Sequence, residues 1–341
     1  MQLSIVVDDG PPEKVPTRPT MNAASLTTAL KQESLRLGFD LAGATPAVAP
    51  PDFDRFRQWL AEGDAGQMHY LADRLEAYRH PVRLLDGAKS ILMLGSNYRT
   101  VEPAVAGRGQ ASVSRYAWGA DYHDVIRRRL HKLADFHRRL VPAAQVRGVV
   151  DTAPLLERQF GRLAGLGWVG KNTTLINRRF GSWFFLAALL STAELEHDEP
   201  ADAGRCGSCR ACLDACPTGA LVEAYRLDAR KCVSYLTIEL RGAPPAEFHA
   251  ACGNRLFGCD ACQEACPWNR RTPVTAEPAF QPRPGMNPIE LAELRALDEA
   301  AFRGRFRHTA LWRAKREGIL RNADMADKGS ETRDRGRSSG G

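Results

Sequence analysis

The chain has 341 residues, of which 44% are hydrophobic and 26% charged, the composition of an ordinary water-soluble folded protein. Its longest strongly apolar run, 183–190, is far shorter than the roughly 20 residues that cross a bilayer, and its N-terminus lacks the positive charges of a secretion signal. We therefore expect a cytoplasmic protein without a membrane partner, and the net charge of +7 favours a polyanionic partner such as nucleic acid.

Apolar spacing before residue 200 predicts alternating helices and strands. Spacing of helical period predicts helices at 26–37, within 53–78, at 124–140 and from Pro154 to about Leu163. Short β-branched or apolar runs predict strands at 91–94, 146–150, 173–176 and 183–191. This order predicts an α+β protein whose first domain is a layered α/β unit.

We expect five segments along the chain. A loose leader with four prolines precedes the layered domain, and an acidic linker leads into a cysteine-rich domain of the bacterial two-cluster ferredoxin type. A short helical segment and a polar, disordered tail follow. The predicted boundaries are 1–20, 21–198, 199–275, 276–322 and 323–341.

All nine cysteines lie between residues 206 and 266, which indicates metal or cluster ligation rather than disulfides in a reducing compartment. Four share the ferredoxin spacing C-x2-C-x2-C-x3-C-P: Cys206, Cys209, Cys212 and Cys216. Three more repeat the last part of that spacing: Cys259, Cys262 and Cys266. Zinc is the alternative, but zinc sites place two close pairs around one ion. The spacing therefore predicts two [4Fe–4S] clusters.

Two such clusters need eight thiolates, and the two motifs supply seven. Spacing alone leaves Cys232 and Cys252 as candidates for the eighth position, and the other is expected to be a small buried apolar side chain. Clusters by themselves only transfer single electrons. The cysteine-free residues before them are far more than a ferredoxin needs, so we expect them to hold the chemistry.

The glycine-rich segment Gly165-Leu-Gly167-Trp-Val-Gly170-Lys171-Asn172 fits two nucleotide-binding patterns, G-x-G-x-x-G and G-x4-G-K. Both patterns require a strand immediately before the glycines, whereas the preceding residues have helical spacing, and Asn172 replaces the hydroxyl residue of a P-loop. We reject NAD and ATP binding. The glycines are expected to let backbone approach a bulky ligand, with Lys171 and Asn172 as polar contacts.

Asp151 follows a predicted strand and precedes a predicted helix. Open α/β sheets place ligand-facing groups at such positions, but an aspartate there is also a common helix N-cap, and the pattern alone favours the cap. His80 and His123 are more often structural hydrogen-bonding residues than ligands.

The last 39 residues carry 11 Lys or Arg and five Asp or Glu. This excess fits either a solvated helix face or a surface that contacts phosphates. The basic residues concerned include Arg303, Arg305, Arg307, Arg313, Lys315, Arg316 and Arg321.

Five segments together resemble epoxyqueuosine reductase: SRYAWGADYHDV (114–125), VVDTAPLLERQ (149–159), AGLGWVGKNT (164–173), RKCVSYLTIE (230–239) and GNRLFGCDACQEACPWN (253–269). The resemblance spans about 25–322 and joins an unusual first domain to an incomplete second cysteine motif. Members of that family bind cobalamin and two [4Fe–4S] clusters and reduce epoxyqueuosine in the tRNA anticodon loop to queuosine. Many continue into a helical-repeat module that grips tRNA, where this chain has its polar tail.

The resemblance implies Cys232 as the eighth ligand and Cys252 as the spare. It also implies crossed ligation, with one cluster on Cys206, Cys209, Cys212 and Cys266 and the other on Cys216, Cys232, Cys259 and Cys262. Asp151 matches the family's proton donor, a role that requires burial to raise its pKa. The implied corrinoid contacts are Arg79, Ser114, Tyr116, Asp151, Lys171, Asn172 and Asp260.

The implied partners are tRNA carrying epoxyqueuosine, contacted by the basic C-terminal stretch, and an external one-electron donor, with the chain a monomer. Two other functions fit the motifs. A non-catalytic electron-transfer protein would bind no corrinoid, and a corrinoid reductase of the dehalogenase type would act on a small molecule.

Overall fold

The computed structural model describes residues 21–202 and 204–338, so the expected leader at 1–20 lies outside the described residues. Nine strands occur in these ranges: β1 Leu41–Pro46, β2 Ser90–Asn97, β3 Gln110–Val113, β4 Val146–Val149, β5 Trp168–Val169, β6 Leu175–Ile176, β7 Phe184–Ser191, β8 Arg255–Phe257 and β9 Ile289–Glu290. Across the same ranges, no helix is long and apolar enough to span a membrane.

The described ranges also contain 13 α-helices, most of them short. Those of the first half are α1 Ala23–Arg36, α2 Phe53–Ala61, α3 His69–Asp73, α4 Leu75–Tyr78, α5 Tyr122–Leu140 and α6 Glu157–Leu163. Those of the second half are α7 Ala211–Asp214, α8 Val233–Ile238, α9 His249–Cys252, α10 Ala261–Glu264, α11 Leu291–Ala296, α12 Glu299–Phe306 and α13 Lys315–Ser338.

The first unit is a four-stranded antiparallel sheet in the order β1-β2-β7-β4, covered on both faces. On β2, Leu92 and Leu94 pack in one apolar cluster with α1 and α5, while Ile91 and Met93 pack in another with Phe160 of α6. Burial on both faces explains why β2 is apolar at successive positions rather than alternate ones. The predicted layered arrangement is confirmed.

Two local predictions differ from the structure. The sheet is antiparallel, so the rule that places ligands beyond the carboxyl ends of parallel strands does not apply to Asp151. The helix predicted from Pro154 begins at Glu157 instead. Asp151 has φ +50°, and tight turns follow, with Leu155 N–H donating to Ala153 C=O at 2.8 Å. This backbone makes 151–156 a loop rather than a first helical turn.

The two units share a sheet. Strand β3, which precedes the cysteines by more than 90 residues, pairs in parallel with β8 between the two cysteine motifs and antiparallel with β9 near the C-terminus. A single apolar cluster accordingly joins Val113, Phe257 and Phe302. The segments that were predicted as separate domains are therefore closely interleaved.

The C-terminal segment is part of this shared core. The predicted disordered tail from 323 is instead helical, because α13 continues to Ser338 and its residues Ala323 and Ala326 are fully buried. Just before them, the amide of Asn322 donates to the carbonyls of Thr237, at 2.7 Å, and Leu256, at 2.9 Å. Tertiary packing thus overrides the polar composition that predicted disorder.

Replacing Asn322 with alanine is expected to destabilise the protein by about 2–4 kcal/mol, because two buried carbonyl groups lose their donors. The thermal unfolding midpoint, followed anaerobically by circular dichroism, should fall by several degrees. The matched control is Asp324→Ala, which removes an exposed pair with Arg295. That change should cost no more than about 1 kcal/mol. Equal midpoints for both variants would contradict the buried role of Asn322.

Candidate active site and cluster centres

Four cysteines line one cavity where the two units meet: Cys206, Cys209, Cys212 and Cys266. Three come from the first motif and the last from the second, which is the crossed set that the resemblance implied. Lys171 closes the cavity, with Nζ donating to the carbonyls of Gly207 at 2.6 Å and Cys209 at 2.9 Å. This cation lies where an anionic cluster would need compensation.

The remaining four predicted ligands form a second, more buried group. Burial raises the pKa of Cys262, and nearby negative groups that include Cys259, Cys232 and Cys216 raise it further. The pKa of Cys232 is also raised by burial, and the backbone N–H groups of Tyr235 and Ser234 oppose the rise by donating to its sulfur. Sulfurs that influence one another in this way lie close together.

Cys252 is fully buried at the end of α9 and packs in one apolar cluster with Cys232 and Cys259. Burial raises the pKa of its thiol to about 11. Both candidates for the eighth ligand thus lie beside the second cysteine group. Replacing each of the two with alanine distinguishes them.

Across the described residues, no three Cys, His, Asp or Glu side chains converge at the spacing that a single metal ion requires. Tetrahedral zinc with Zn–S bonds of 2.3 Å would hold its sulfurs about 3.8 Å apart. A cubane cluster spaces its four ligand sulfurs more widely, since each sulfur binds a different iron atom. The contribution of both motifs to one cavity is the pattern of a two-cluster ferredoxin.

The glycine-rich segment forms a β-hairpin rather than a nucleotide loop. Strands β5 and β6 pair antiparallel across it, and α6 precedes it. A Cβ added to Gly167 would lie 2.1 Å from the carbonyl oxygen of Ile176, so this glycine permits close strand pairing. Asn172 is buried and directs its amide at the carbonyl of Cys262, at 3.4 Å. Lys171 and Asn172 thus both contact the cysteine loops.

A second predicted group joins β3 to the second cysteine motif. The Ser114 hydroxyl donates to one carboxylate oxygen of Asp260, and the backbone N–H of Arg115 donates to the other at 2.8 Å. Gly258 has φ +72°, and a Cβ there would lie 2.6 Å from Ser114 Cβ. Burial raises the pKa of Asp260 to about 6, against the effect of the Ser114 hydrogen bond. This contact places Gly258, the residue before Cys259, beside the Tyr116 ring.

Asp151 is the centre of a hydrogen-bonded group on the first unit. Its Oδ2 accepts from the Tyr122 hydroxyl at 2.7 Å and lies 3.1 Å from His123 Nε2. The other ring nitrogen of His123 lies 2.8 Å from Asp121 Oδ1. Both ring nitrogens therefore face carboxylate oxygens, and an imidazole can donate to both only when it is protonated.

The protonation states of Asp151 and His123 differ from what the sequence led us to expect. Burial tends to raise the pKa of Asp151, but hydrogen bonds from His123 and Tyr122 outweigh it, so the pKa lies below the ordinary value. Burial tends to lower the pKa of His123, whereas its bonds to Asp121 and Asp151 raise it to about 9. The expectation of an Asp151 protonated through burial was wrong. Near neutral pH the proton is on His123.

Glu157 is a member of this group that the sequence reasoning missed. Its Oε1 accepts the backbone N–H of Asp151 at 2.9 Å and so holds the strained loop in place. Burial and the nearby charge of Asp151 raise the pKa of Glu157 to about 8. The sequence feature that could have indicated Glu157 is its position six residues after Asp151, at the start of a helix.

Two other missed residues lie near Asp151. Arg313 pairs with Glu239 at 2.8 Å, and its charge further lowers the pKa of Asp151. Burial raises the pKa of Tyr78 to about 12, and the charges of Glu157 and Asp151 add to the effect. Residues this far apart in the chain give no common sequence pattern.

Two predicted candidates lie outside this group's hydrogen bonds. Arg79 is exposed, pairs with Glu76 at 3.0 Å and lies over the Phe53 ring. His80 accepts the backbone N–H of Val82 at 3.2 Å, a structural role. Of the two ambiguous histidines, only His123 contacts Asp151.

Comparison with known proteins gives consistent matches. A family model described as "Epoxyqueuosine reductase QueG, DUF1730" matches residues 79–152, and a "4Fe-4S double cluster binding domain" model matches residues 205–269. The chain is 42% identical over 303 residues to the epoxyqueuosine reductase of Pseudomonas aeruginosa, covering 88% of this chain and 84% of that one. It is 40% identical over 305 residues to the Escherichia coli enzyme, covering 88% and 80%.

Solved structures agree. A crystal structure of epoxyqueuosine reductase with an epoxyqueuosine-modified tRNA-Tyr stem loop superimposes with a TM-score of 0.86 at 32% identity, covering 91% of this chain and 83% of that one. The Bacillus subtilis enzyme, with an aspartate-bearing catalytic loop swung out of its active site, gives 0.84 at 31% identity, with the same coverage of each chain.

Proposed function

We infer the function from the family: the chain belongs to the epoxyqueuosine reductase family, and it reduces epoxyqueuosine to queuosine in tRNA. The single observation that carries this inference is that Tyr116 lies between two groups of residues. One is the hydrogen-bonded group around Asp151, and the other contains the cysteines of the second motif. The Tyr116 ring packs against Tyr122, whose hydroxyl donates to Asp151. Tyr116 also lies two residues after Ser114, whose hydroxyl donates to Asp260, the neighbour of Cys259. A reduction that needs both protons and electrons requires such a junction.

We propose that the eight cysteines hold two [4Fe–4S] clusters in the crossed arrangement. In support, Cys206, Cys209, Cys212 and Cys266 line one cavity, and Cys216, Cys232 and Cys259 lie near Cys262. The loop at Cys209 is exposed, so an external one-electron donor can approach there. The second group is more buried and lies beside Asp260, on the side of the active site.

We propose that cobalamin binds in the recess beside Asp151. In support, the Tyr116 ring lies 6.1 Å from the Tyr122 ring and 6.2 Å from the Phe257 ring, so aromatic side chains are grouped beside Asp151. The Asp151 side chain is 49% exposed, so a ligand can reach its carboxylate. Four of the candidate contacts belong to this connected set of residues: Ser114, Tyr116, Asp151 and Asp260.

The overall change is that an epoxide takes up two electrons and two protons, giving an alkene and one water molecule. Bound cobalamin, supplied by the clusters, would provide the electrons at the carbon. The chain's own residues provide and place the protons. We propose that the ionised Asp151 carboxylate takes a proton from His123 Nε2, at 3.1 Å, and passes it to the opening oxygen. Solvent then reprotonates His123, which supplies the second proton by the same path. Tyr122 fixes the carboxylate orientation.

The single-turnover rate is expected to fall as pH rises through about 9, because His123 then loses the proton that it shares with Asp151. The groups facing this ring are Asp121, Asp151, Tyr122 and Glu157. Below that pH the imidazolium population is nearly constant, so this group should cause no further change.

His123→Gln should lower the rate about 100-fold and abolish the fall near pH 9. The control is the exposed His308→Gln, which should keep the wild-type pH profile. An unchanged alkaline fall in His123→Gln would remove His123 from the proton path.

The function is tested by adding cobalamin to the anaerobically reconstituted protein and then tRNA that carries epoxyqueuosine. We expect a changed corrinoid spectrum, followed by loss of one oxygen atom from the modified nucleoside by mass spectrometry. A pure electron-transfer protein would leave the spectrum unchanged. A dehalogenase-like reductase would bind cobalamin and release halide from a halophenol without acting on the tRNA. We further propose that the chain acts as a monomer in the cytoplasm, where its tRNA substrate is.

A further inference from the structure

An open cavity of about 560 Å³ lies on the other side of the Asp151 loop and is strongly basic. Five of its lining side chains carry or can carry positive charge: Arg74, Arg83, Arg127, His131 and Arg147. The loop residues Thr152, Ala153 and Pro154 close one side of it, and no acidic side chain lines it.

The fold brings these cations together from β4, α5 and the segment 74–83. Strand β4, at the edge of the sheet, contributes Arg147, and its guanidinium donates to the carbonyl of Leu84 at 2.6 Å. Arg127 and His131 lie one turn apart on α5. Arg74 donates to the carbonyl of Thr152 at 3.2 Å. A guanidinium has five N–H donors, so Arg74 and Arg147 can still bind a ligand.

Neighbouring acids compensate this charge only in part. Asp124 lies 3.8 Å from Arg127 with both side chains half exposed, and Glu76 is bound mainly to Arg79. Guanidinium groups are suited to phosphate oxygens, since their planar pairs of donors match two oxygens at once. Several such groups around an open cavity fit a phosphodiester chain better than one isolated anion.

Four of the basic residues near the C-terminus bind groups within the fold. Arg321 donates to the carbonyls of Leu240, Gly242 and Leu236. Three others are bound similarly: Arg313 to Glu239, Arg316 to the Leu297 carbonyl and Arg305 to Glu293 and the Gly285 carbonyl. These contacts leave the cavity as the better-placed group of cations, adjacent to the catalytic loop.

We propose that this cavity binds phosphates of the RNA strand that flank the nucleotide being reduced. This inference rests on the proposed function, and it identifies the surface that would position the tRNA substrate. Arg74 connects the cavity to Thr152, next to Asp151, so phosphate binding and the placement of Asp151 are coupled through one side chain.

The test compares two double variants that each remove two positive charges. The first combines Arg83→Gln and Arg127→Gln, and the second combines Arg303→Gln and Arg307→Gln. The first pair lines the cavity, and the second is exposed in the C-terminal stretch. Affinity for the epoxyqueuosine-containing anticodon stem loop is measured against salt with the reconstituted protein. For the cavity pair we expect about a 10-fold loss at 0.15 M salt and a slope of log K against log salt smaller by about 1.4, from two contacts at 0.7 each.

The C-terminal pair should keep the wild-type affinity and slope. Equal losses in both pairs, or a loss in the C-terminal pair alone, would overturn the proposal. The proposal would also be overturned if the cavity variant lost binding to phosphatidylglycerol vesicles while its affinity for RNA stayed unchanged. Because the assay measures binding, a wild-type protein that binds the stem loop through the cavity but does not reduce it would contradict the proposed function only.

Discussion

Replacing Asp151 with asparagine is expected to lower turnover by about 10²–10⁴-fold, the usual contribution of a positioned acid or base. Asparagine has nearly the same shape and can still accept a hydrogen bond from Tyr122 or His123. It cannot take a proton from His123 and pass it on. The cluster and corrinoid spectra should be unchanged, which separates lost chemistry from lost assembly.

The same variant has a second, independent readout. Removing the carboxylate takes away one of the groups that raise the His123 pKa, so the imidazole should titrate at a lower pH than in the wild type. This shift can be followed by NMR of the ring carbons. A suitable control is Asp124→Asn on the same helix, whose carboxylate is half exposed beside Arg127. Retained turnover in Asp151→Asn would exclude Asp151 from the mechanism.

Replacing Cys232 with alanine is expected to remove one of the two clusters and to lower turnover more than 100-fold. Each [4Fe–4S] cluster requires four thiolates, and Cys232 lies among Cys216, Cys259 and Cys262. Iron content should fall by up to about four atoms per chain, and one of two signals in the reduced electron paramagnetic resonance spectrum should disappear.

Cys252→Ala is the matched control, because this cysteine is buried in the same apolar cluster. Its loss should leave both clusters and only a small cavity, at a cost of about 1 kcal/mol. The reverse result, with iron lost from Cys252→Ala and kept in Cys232→Ala, would reassign the eighth ligand.

Three of the four strands of the layered unit followed from apolar spacing, and β1 was missed. The runs at 91–94 and 124–140 became β2 and α5 with small changes at their ends. Such elements are predictable because their own periodicity determines which face is buried. Strand β3 was missed because four residues with two short pairings carry little local pattern. The helix over 323–338 was missed because the burial of its residues Ala323 and Ala326 depends on packing against α9 and β8, far earlier in the chain.

The sequence alone predicted two clusters, because the cysteines of each motif lie within a few residues of one another in the ferredoxin spacing. It also pointed to Asp151, through the segments that resemble the family. The protonation state of Asp151 was decided by the tertiary structure. A pKa depends on charges and donors within a few ångströms, and His123 and Arg313 reach Asp151 from 28 and 162 positions away. The basic cavity has the same origin, since only folding places Arg74, Arg127 and Arg147 around one space.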